Sequence, residues 1–381
     1  MDFSISPELE EFRNKVRSFA LREFTEELKH KHDDEESYPE EIRKKVFKEG
    51  LVDVSKPWEM LITMEEFCRV DPGLGLSSIV SLFGNEILMF HGSDYQREKY
   101  LEKVWKGDLI SGFAVTEPNA GSDVAGISSY MKNNGDGTWL LNGGKMFITN
   151  GTIADIFLTL VRSSPVDVAK KHHGLSMVIV EKNMKGFSAN KIKGKMGVRA
   201  TNTGELSFDN VVIPESNIVG EIGKGFYYVM EFFNISRIYV AAQAVGIAQG
   251  ALDYILNYVA VNKKTGNDMA DKELTSFLIA EVTTRVEAAR LLTYRAASLL
   301  FKFTPDPVAT SIAKYYAAET ATYATEKAME LLGIDGVTTD LERLYRDAKI
   351  TEIWEGTSEI EKLTIARMLI KNKIKEVEQH A

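Results

Sequence analysis

Glu355 stands between Trp354 and the step Gly356-Thr357-Ser358. In an apolar pocket such a carboxyl has its pKa raised towards neutrality, which makes it a usable general base. The helix start that Gly-Thr-Ser announces would add backbone N–H groups and a positive dipole end, suited to a developing oxyanion or a phosphate. Two further segments could hold a ligand. Val115-Thr116-Glu117-Pro118-Asn119-Ala120-Gly121-Ser122-Asp123 leaves a strand for a loop; small residues there admit a ligand to the backbone, and Thr116 and Ser122 offer hydroxyls. Lys145-Met146-Phe147-Ile148-Thr149-Asn150-Gly151 reads as a strand ending in a turn. Strand side chains alternate, so Phe147 and Thr149 share a side, an aromatic and a hydroxyl suited to a flat ring. Each segment has a plainer alternative: Glu355 as a solvated acid at a helix start, Ser122 or Asp123 as a cap, Phe147 as core.

The elements that must position these residues fall into three zones. From Ser6 to about Asp108 the period is helical, with Leu9, Phe12, Val16, Phe19 and Ala20 at three- and four-residue steps. Further helices are expected around Glu40–Gly50, Ile62–Val70, Leu76–His91 and Tyr95–Trp105, with Pro39 and Pro72 at helix starts. Between about Ile110 and Gly220 short β-branched runs are punctuated by turns. Strands are expected at Ile110–Thr116, Thr138–Asn142, Lys145–Thr149, Ile156–Arg162, Leu175–Glu181 and Glu205–Phe208. Asn134-Gly135-Asp136-Gly137 and Asn142-Gly143-Gly144 read as tight turns. Long helices return at about 226–264, 272–303, 306–332 and 357–378, and helices apolar on more than one face pack as a bundle. The expected class is α+β, mostly α: a helical domain over 1–110, a β-domain over 111–220 and a helical bundle over 221–381.

The bulk composition narrows the function. The chain has 381 residues and a net charge of −9, which argues against nucleic acid as its main partner. One cysteine, Cys68, excludes an intrachain disulfide framework and fits a reducing compartment. Met1–Glu11 lacks the basic start and apolar run of a secretory signal. No window approaches about eighteen uncharged apolar residues, so no membrane insertion is expected and a cytoplasmic location is. His30 with His32, and His172 with His173, have no convergent ligands at metal spacing and read as solvated surface, so no metal site is expected.

Taken together, the three segments resemble the acyl-CoA dehydrogenases. The carrying motifs are V-T-E-P-x-A-G-S-D at Val115–Asp123, the Lys145–Gly151 strand, and the run from Arg346 to Ser358, joined by Met196-Gly197-Val198-Arg199 and Phe208–Pro214. The resemblance implies a helical N-terminal domain, a middle β-domain and a C-terminal four-helix bundle, with FAD between the last two. It places Phe113, Val115 and Thr116 along the flavin, Phe147, Ile148 and Thr149 on its other side, and Thr357 and Glu359 against the cofactor. Ser122, Asn234 and Arg237 fall where the family holds the CoA arm, and Gly356 lies on the substrate side. Glu355 is then the base that takes the α-proton while the β-hydride passes to flavin N5, giving a trans-2-enoyl-CoA. Some relatives carry the base on the helix that here holds Ser236, which cannot act as one. An electron-transfer flavoprotein and a homotetramer are the implied partners.

Several positions depart from the family pattern. Asn262-Lys263-Lys264-Thr265-Gly266 lacks the arginine and the aromatic that reach a neighbouring subunit's FAD, and a lysine does not replace a planar guanidinium. Glu330-Leu331-Leu332-Gly333-Ile334 stands in place of a Gln-x-x-Gly-Gly segment. The glycine-rich Y-G-G loop expected after Gly50-Leu51 is deleted between Val54 and Ile62. These changes predict that FAD is held more weakly, or through altered contacts. An acyl-CoA oxidase-like flavoprotein, or a non-catalytic CoA-binding member, is the alternative.

Overall fold

The computed structural model describes residues 5–380; the first four residues of the expected non-secretory N-terminus lie outside that range. The chain opens with helices that wrap an aromatic core. Helix α1 (Pro7–Glu23) starts where the Ser6 hydroxyl accepts from Leu9 N and proline takes the first position, both favourable at orphaned N–H groups. Its Val16, Phe19 and Ala20 are buried, with Phe19 stacked on Phe67 at 5.8 Å and Phe24 edge-on to Phe67 at 5.2 Å. Then follow α2 (Glu26–Asp34), α3 (Glu40–Lys48), α4 (Pro57–Val70), α5 (Pro72–Ile79), α6 (Asn85–His91), α7 (Asp94–Gln96) and α8 (Glu102–Trp105). The single helix expected over Leu76–His91 is broken. Gly84 sits at φ +84° and a Cβ there would press on the Phe113 ring, so the chain turns and restarts at Asn85. His32, expected at the surface, is buried with Nδ1 2.9 Å from Ser37 O.

The middle zone is one eight-stranded sheet: β1 (Ser111–Ala114), β2 (Tyr130–Asn133), β3 (Thr138–Thr149), β4 (Ile156–Arg162), β5 (Leu175–Glu181), β6 (Phe187–Lys191), β7 (Thr203–Pro214) and β8 (Ile218–Val219). Its order is β6-β7-β3-β2-β4-β5-β8, with β1 parallel to β4. The turn expected at Asn142-Gly143-Gly144 does not form. Those residues lie inside β3, which continues along β7 through register shifts at Leu141/Gly143 and Lys145/Ile148. Glycine serves there as a bulge residue, a common device for bending a strand. Asn134–Gly137 does make the β2–β3 turn, with Asn134 N donating to Thr138 O at 3.0 Å.

The C-terminal zone holds α9 (Gly225–Lys264), α10 (Glu273–Phe301), α11 (Pro307–Leu332) and α14 (Ser358–His380), with the short α12 (Ile334–Val337) and α13 (Leu341–Ala348) between the last two long ones. Asp306 caps α11 by accepting from Val308 N at 2.9 Å, and Pro307 takes its first position. Two stretches, Pro72–His91 and Gly225–Lys264, are long and apolar enough by composition to cross a membrane, contrary to the window count above. Their most apolar windows are 72% and 56% buried inside the fold, so most of that surface is spent on packing. Helix α9 carries much of the interior, from Val229 to Val259, and it connects the sheet to the Glu355 loop.

Candidate active site

Strand β1 and the end of β3 bring the first two segments together. Met146 N donates to Thr116 O at 2.8 Å. The Lys145 ammonium, fully buried, donates to Val115 O at 3.0 Å and to Glu117 Oε1 at 2.9 Å. Burial pushes the Glu117 carboxyl up, but Lys145 and the Ser128 N–H and hydroxyl outweigh it and bring it to about 2. Burial pulls Lys145 down to about 8 against that same pairing. The buried ion pair thus pins the Val115–Glu117 backbone to β3. The bulge between Lys145 and Ile148 leaves Phe147 in a left-handed conformation at φ +60° and 60% exposed. A non-glycine residue there is strained and needs a reason. The Thr116 and Thr149 hydroxyls, both half-buried, make no hydrogen bond among the described residues. An outward aromatic between two unspent hydroxyls fits a flat, hydrogen-bonding ring, the chemistry of a flavin.

Glu355 is reached from this surface through α9. Phe113 packs on Phe232 at 4.5 Å, and Phe83 closes the cluster at 5.4 Å from Phe232. One turn further along α9, the Ser236 hydroxyl donates to Glu355 Oε2. Arg237 Nε donates to Glu355 O at 2.9 Å and lies 2.9 Å from Glu361 Oε1. From α11, the Lys314 ammonium donates to Gly356 O. Glu355 has φ +56° and Gly356 φ +104°, so two consecutive left-handed residues turn both carbonyls towards these cations. The Glu355 N–H makes no backbone hydrogen bond among the described residues. Burial holds the Glu355 carboxyl above the ordinary carboxylate range, opposed by Ser236, Arg237 and Lys314. Thr357 caps α14 by accepting from Ile360 N at 3.3 Å.

The remaining positions divide by which way they face. Phe113 and Val115 are buried, Ser122 and Glu359 are exposed, and Asn234 is half-buried. Ile148 turns its side chain into the core of the sheet, which leaves only its backbone for a ligand. Arg237 is a correction. It was expected along the CoA arm, yet its guanidinium is buried beneath the Glu355–Gly356 peptide and committed to Glu361 and Glu355 O. At the altered positions, Asn262 Nδ2 donates to Tyr258 O at 2.9 Å, and Glu330 pairs with Lys327 at 2.6 Å.

Sequence reading missed Lys314, Glu361 and Glu86. Burial pushes the Glu86 carboxyl to about 7, with Glu355 adding to the shift. The available signal was a lone charge on an apolar stretch: Glu86 is the only charge between Pro72 and Phe90, and Lys314 follows Ser311-Ile312-Ala313 on a small-residue stripe. His30 also acquires neighbours unseen in sequence, Glu26 and Asp340. Lys29 already bridges those two carboxylates at 2.7 and 3.2 Å.

Family models describe the whole layout: "Acyl-CoA dehydrogenase, N-terminal domain" matches residues 6–108, "middle domain" 112–211 and "C-terminal domain" 223–370. The chain is 37% identical to the short-chain specific acyl-CoA dehydrogenase of Clostridium acetobutylicum, over 96% of this chain and 99% of that protein. It is 36% identical to the caffeyl-CoA reductase-Etf complex subunit CarC of Acetobacterium woodii, over 94% and 97%. The structure of butyryl-CoA dehydrogenase from Megasphaera elsdenii superposes with a TM-score of 0.89 at 33% identity, covering 97% of this chain and all of that one. Members of this group are FAD-dependent flavoproteins. The chain therefore belongs to the acyl-CoA dehydrogenase family, and its chemistry is FAD-dependent dehydrogenation of an acyl-CoA.

Proposed function

We propose that Glu355 is the base that removes the α-proton of a short acyl-CoA, making the trans-2-enoyl-CoA. The observation that carries this reading is the carboxyl itself: its proton affinity is raised by burial, and it is held by Ser236 on a loop whose own N–H is unspent. That N–H is placed to donate to the thioester oxygen and stabilise the charge that develops as the α-proton leaves. Gly356, Ser122 and Asn234 face the substrate. Phe113, Val115, Thr116, Phe147, Ile148 and Thr149 bear on the flavin, Ile148 through its backbone, with Thr357 and Glu359 at the start of α14. FAD, when bound, accepts the hydride from the β-carbon. The protein's part is to take the proton, fix the carbonyl and exclude water.

The domains run over 1–110, 111–220 and 221–381. The chain works in the cytoplasm as a homotetramer that hands electrons to an electron-transfer flavoprotein, a partner in keeping with the Etf complex named for the Acetobacterium relative. To test the activity, incubate the FAD-supplemented enzyme with acyl-CoA esters of several lengths and an electron acceptor. Mass spectrometry should then show loss of two hydrogens from the short esters. Unchanged masses for every ester on a fully flavinylated sample would exclude the activity.

A further inference from the structure

Beneath the Glu355 loop lies a cluster of charge that the substrate never touches. Lys314 and Glu361 have no exposed side-chain surface, and Arg237 is nearly as buried. Charged groups are taken out of water at high cost unless each has a partner. Here the partners are two backbone carbonyls and one another: Lys314 on Gly356 O, Arg237 on Glu355 O, and Arg237 on Glu361. Neither Glu361 oxygen has a well-aligned hydrogen bond among the described residues, and the buried Ser311 hydroxyl lies close enough to Glu361 to favour its ionised form. A Cβ on Gly356 would run into the Glu361 carboxylate, so loop and cluster are fitted to each other.

We propose that Lys314 and Glu361 are positioning residues for the base: with Arg237 they form a buried cradle that holds the Glu355–Gly356 peptide and biases the charge of the Glu355 carboxylate. The inference rests on Glu355 being the base. The two cations hold consecutive carbonyls, which leaves the Glu355 N–H free of a backbone partner among the described residues and its carboxyl on Ser236. Their charges favour ionised Glu355, whereas Glu361 opposes it. The charged groups acting on Lys314 are Glu361 from α14, Glu355, Glu352 and Arg237. Glu86 on α6 also feels the Glu355 charge, which raises its own proton affinity. Burial pulls Lys314 itself down to about 8, and burial likewise raises the proton affinity of Glu361.

The two residues should act with opposite sign. Losing the Lys314 cation raises the proton affinity of Glu355, and losing the Glu361 anion lowers it. The test is exchange of the α-hydrogens of methylthioacetyl-CoA for deuterium, followed by NMR on the holoenzyme in D2O. The β-atom of this ester is sulfur, so it has no hydride to give: an α-C–H bond breaks to Glu355, the carboxyl trades its proton with solvent, and a C–D bond forms. The acid limb of the exchange–pH profile should move up by about one pH unit in Lys314→Met, a roughly tenfold slower exchange at fixed acidic pH. It should move down in Glu361→Gln, and Lys314→Arg should restore much of the wild-type profile. An unmoved midpoint in either folded variant, or shifts of the same sign in both, would overturn the proposal. If Lys314→Met does not fold, the isosteric Glu361→Gln decides alone. Glu355→Gln is the control: exchange as fast as in the wild type would refute Glu355 as the base, a result distinct from failure of the cradle.

Discussion

Burial and a ring of donors pull the Glu355 carboxyl in opposite directions, and burial prevails. A base works only when deprotonated, so turnover should fall as pH drops through a pKa lying above the ordinary carboxylate range. A pH–rate profile of the anaerobic half-reaction reports it, and an acid limb at or below about 4 would contradict the assignment. The flanking Trp354 and Gly356-Thr357-Ser358 made a base conceivable, and the joined motifs made it specific. What lies under the loop left only a faint trace in the sequence, a lone charge on an apolar stretch at Lys314. Lys314 is separated from Glu355 by the rest of α11, α12 and α13, and its burial is created by tertiary packing alone. Arg237 shows the same limit from the other side, because its position was legible and its direction was not. Rotation about one helix decides whether a guanidinium meets a ligand or a buried carboxylate.

Between elements, the contact of α13 with the Met196–Arg199 loop ties the helical bundle to the sheet. Val198 N donates to Asp347 Oδ1 at 2.5 Å, and a Cβ on Gly197 would lie 2.5 Å from Arg346 O. Gly197→Ala should therefore cost about 1–3 kcal/mol in chemical denaturation, because backbone on both sides must shift. Burial, with Asp71 adding, pushes the Asp347 carboxyl to about 7. A carboxyl whose folded pKa is raised binds its proton more tightly in the native state. Its contribution is thus full below the unfolded value near 4 and is lost as pH rises through about 7. Asp347→Asn should flatten that part of the stability–pH curve, measured as thermal midpoints from pH 4 to 8, and an unchanged slope would refute the link. Long helices and the core strands β4 and β5 were readable because their apolar runs are continuous. The turn wrongly expected at Asn142–Gly144 shows why the rest was not, since the same glycines serve a turn or a bulge and only pairing with β7 decides.

Across the whole molecule, the outward faces of α10 and α14 remain apolar, with Phe277 63%, Ile370 60% and Ile374 52% exposed. Apolar surface of this kind on long helices fits burial against further copies of the chain. Light scattering should give a mass near four times 42.7 kDa, and a monomer would contradict the proposed tetramer. At the altered positions Asn262 is spent on its own helix and Glu330 on Lys327. FAD should accordingly be lost in part during gel filtration, and retention of one tightly held FAD per chain would contradict this. The order of helices, sheet and helices was legible from period alone, whereas the assembly surfaces were not, because an apolar stripe reads the same in a core or at an interface.

The assignment of Glu355 as the group that takes the α-proton is open to test at the reacting bond itself. Its most direct measurement is a rapid-mixing comparison of wild type and Glu355→Gln, each fully loaded with FAD and mixed anaerobically with butyryl-CoA while flavin absorbance is followed. Bleaching is expected in the wild type, with a rate lower by about 10²–10⁴ in the variant and ester binding retained. Bleaching at the wild-type rate in Glu355→Gln would contradict the assignment.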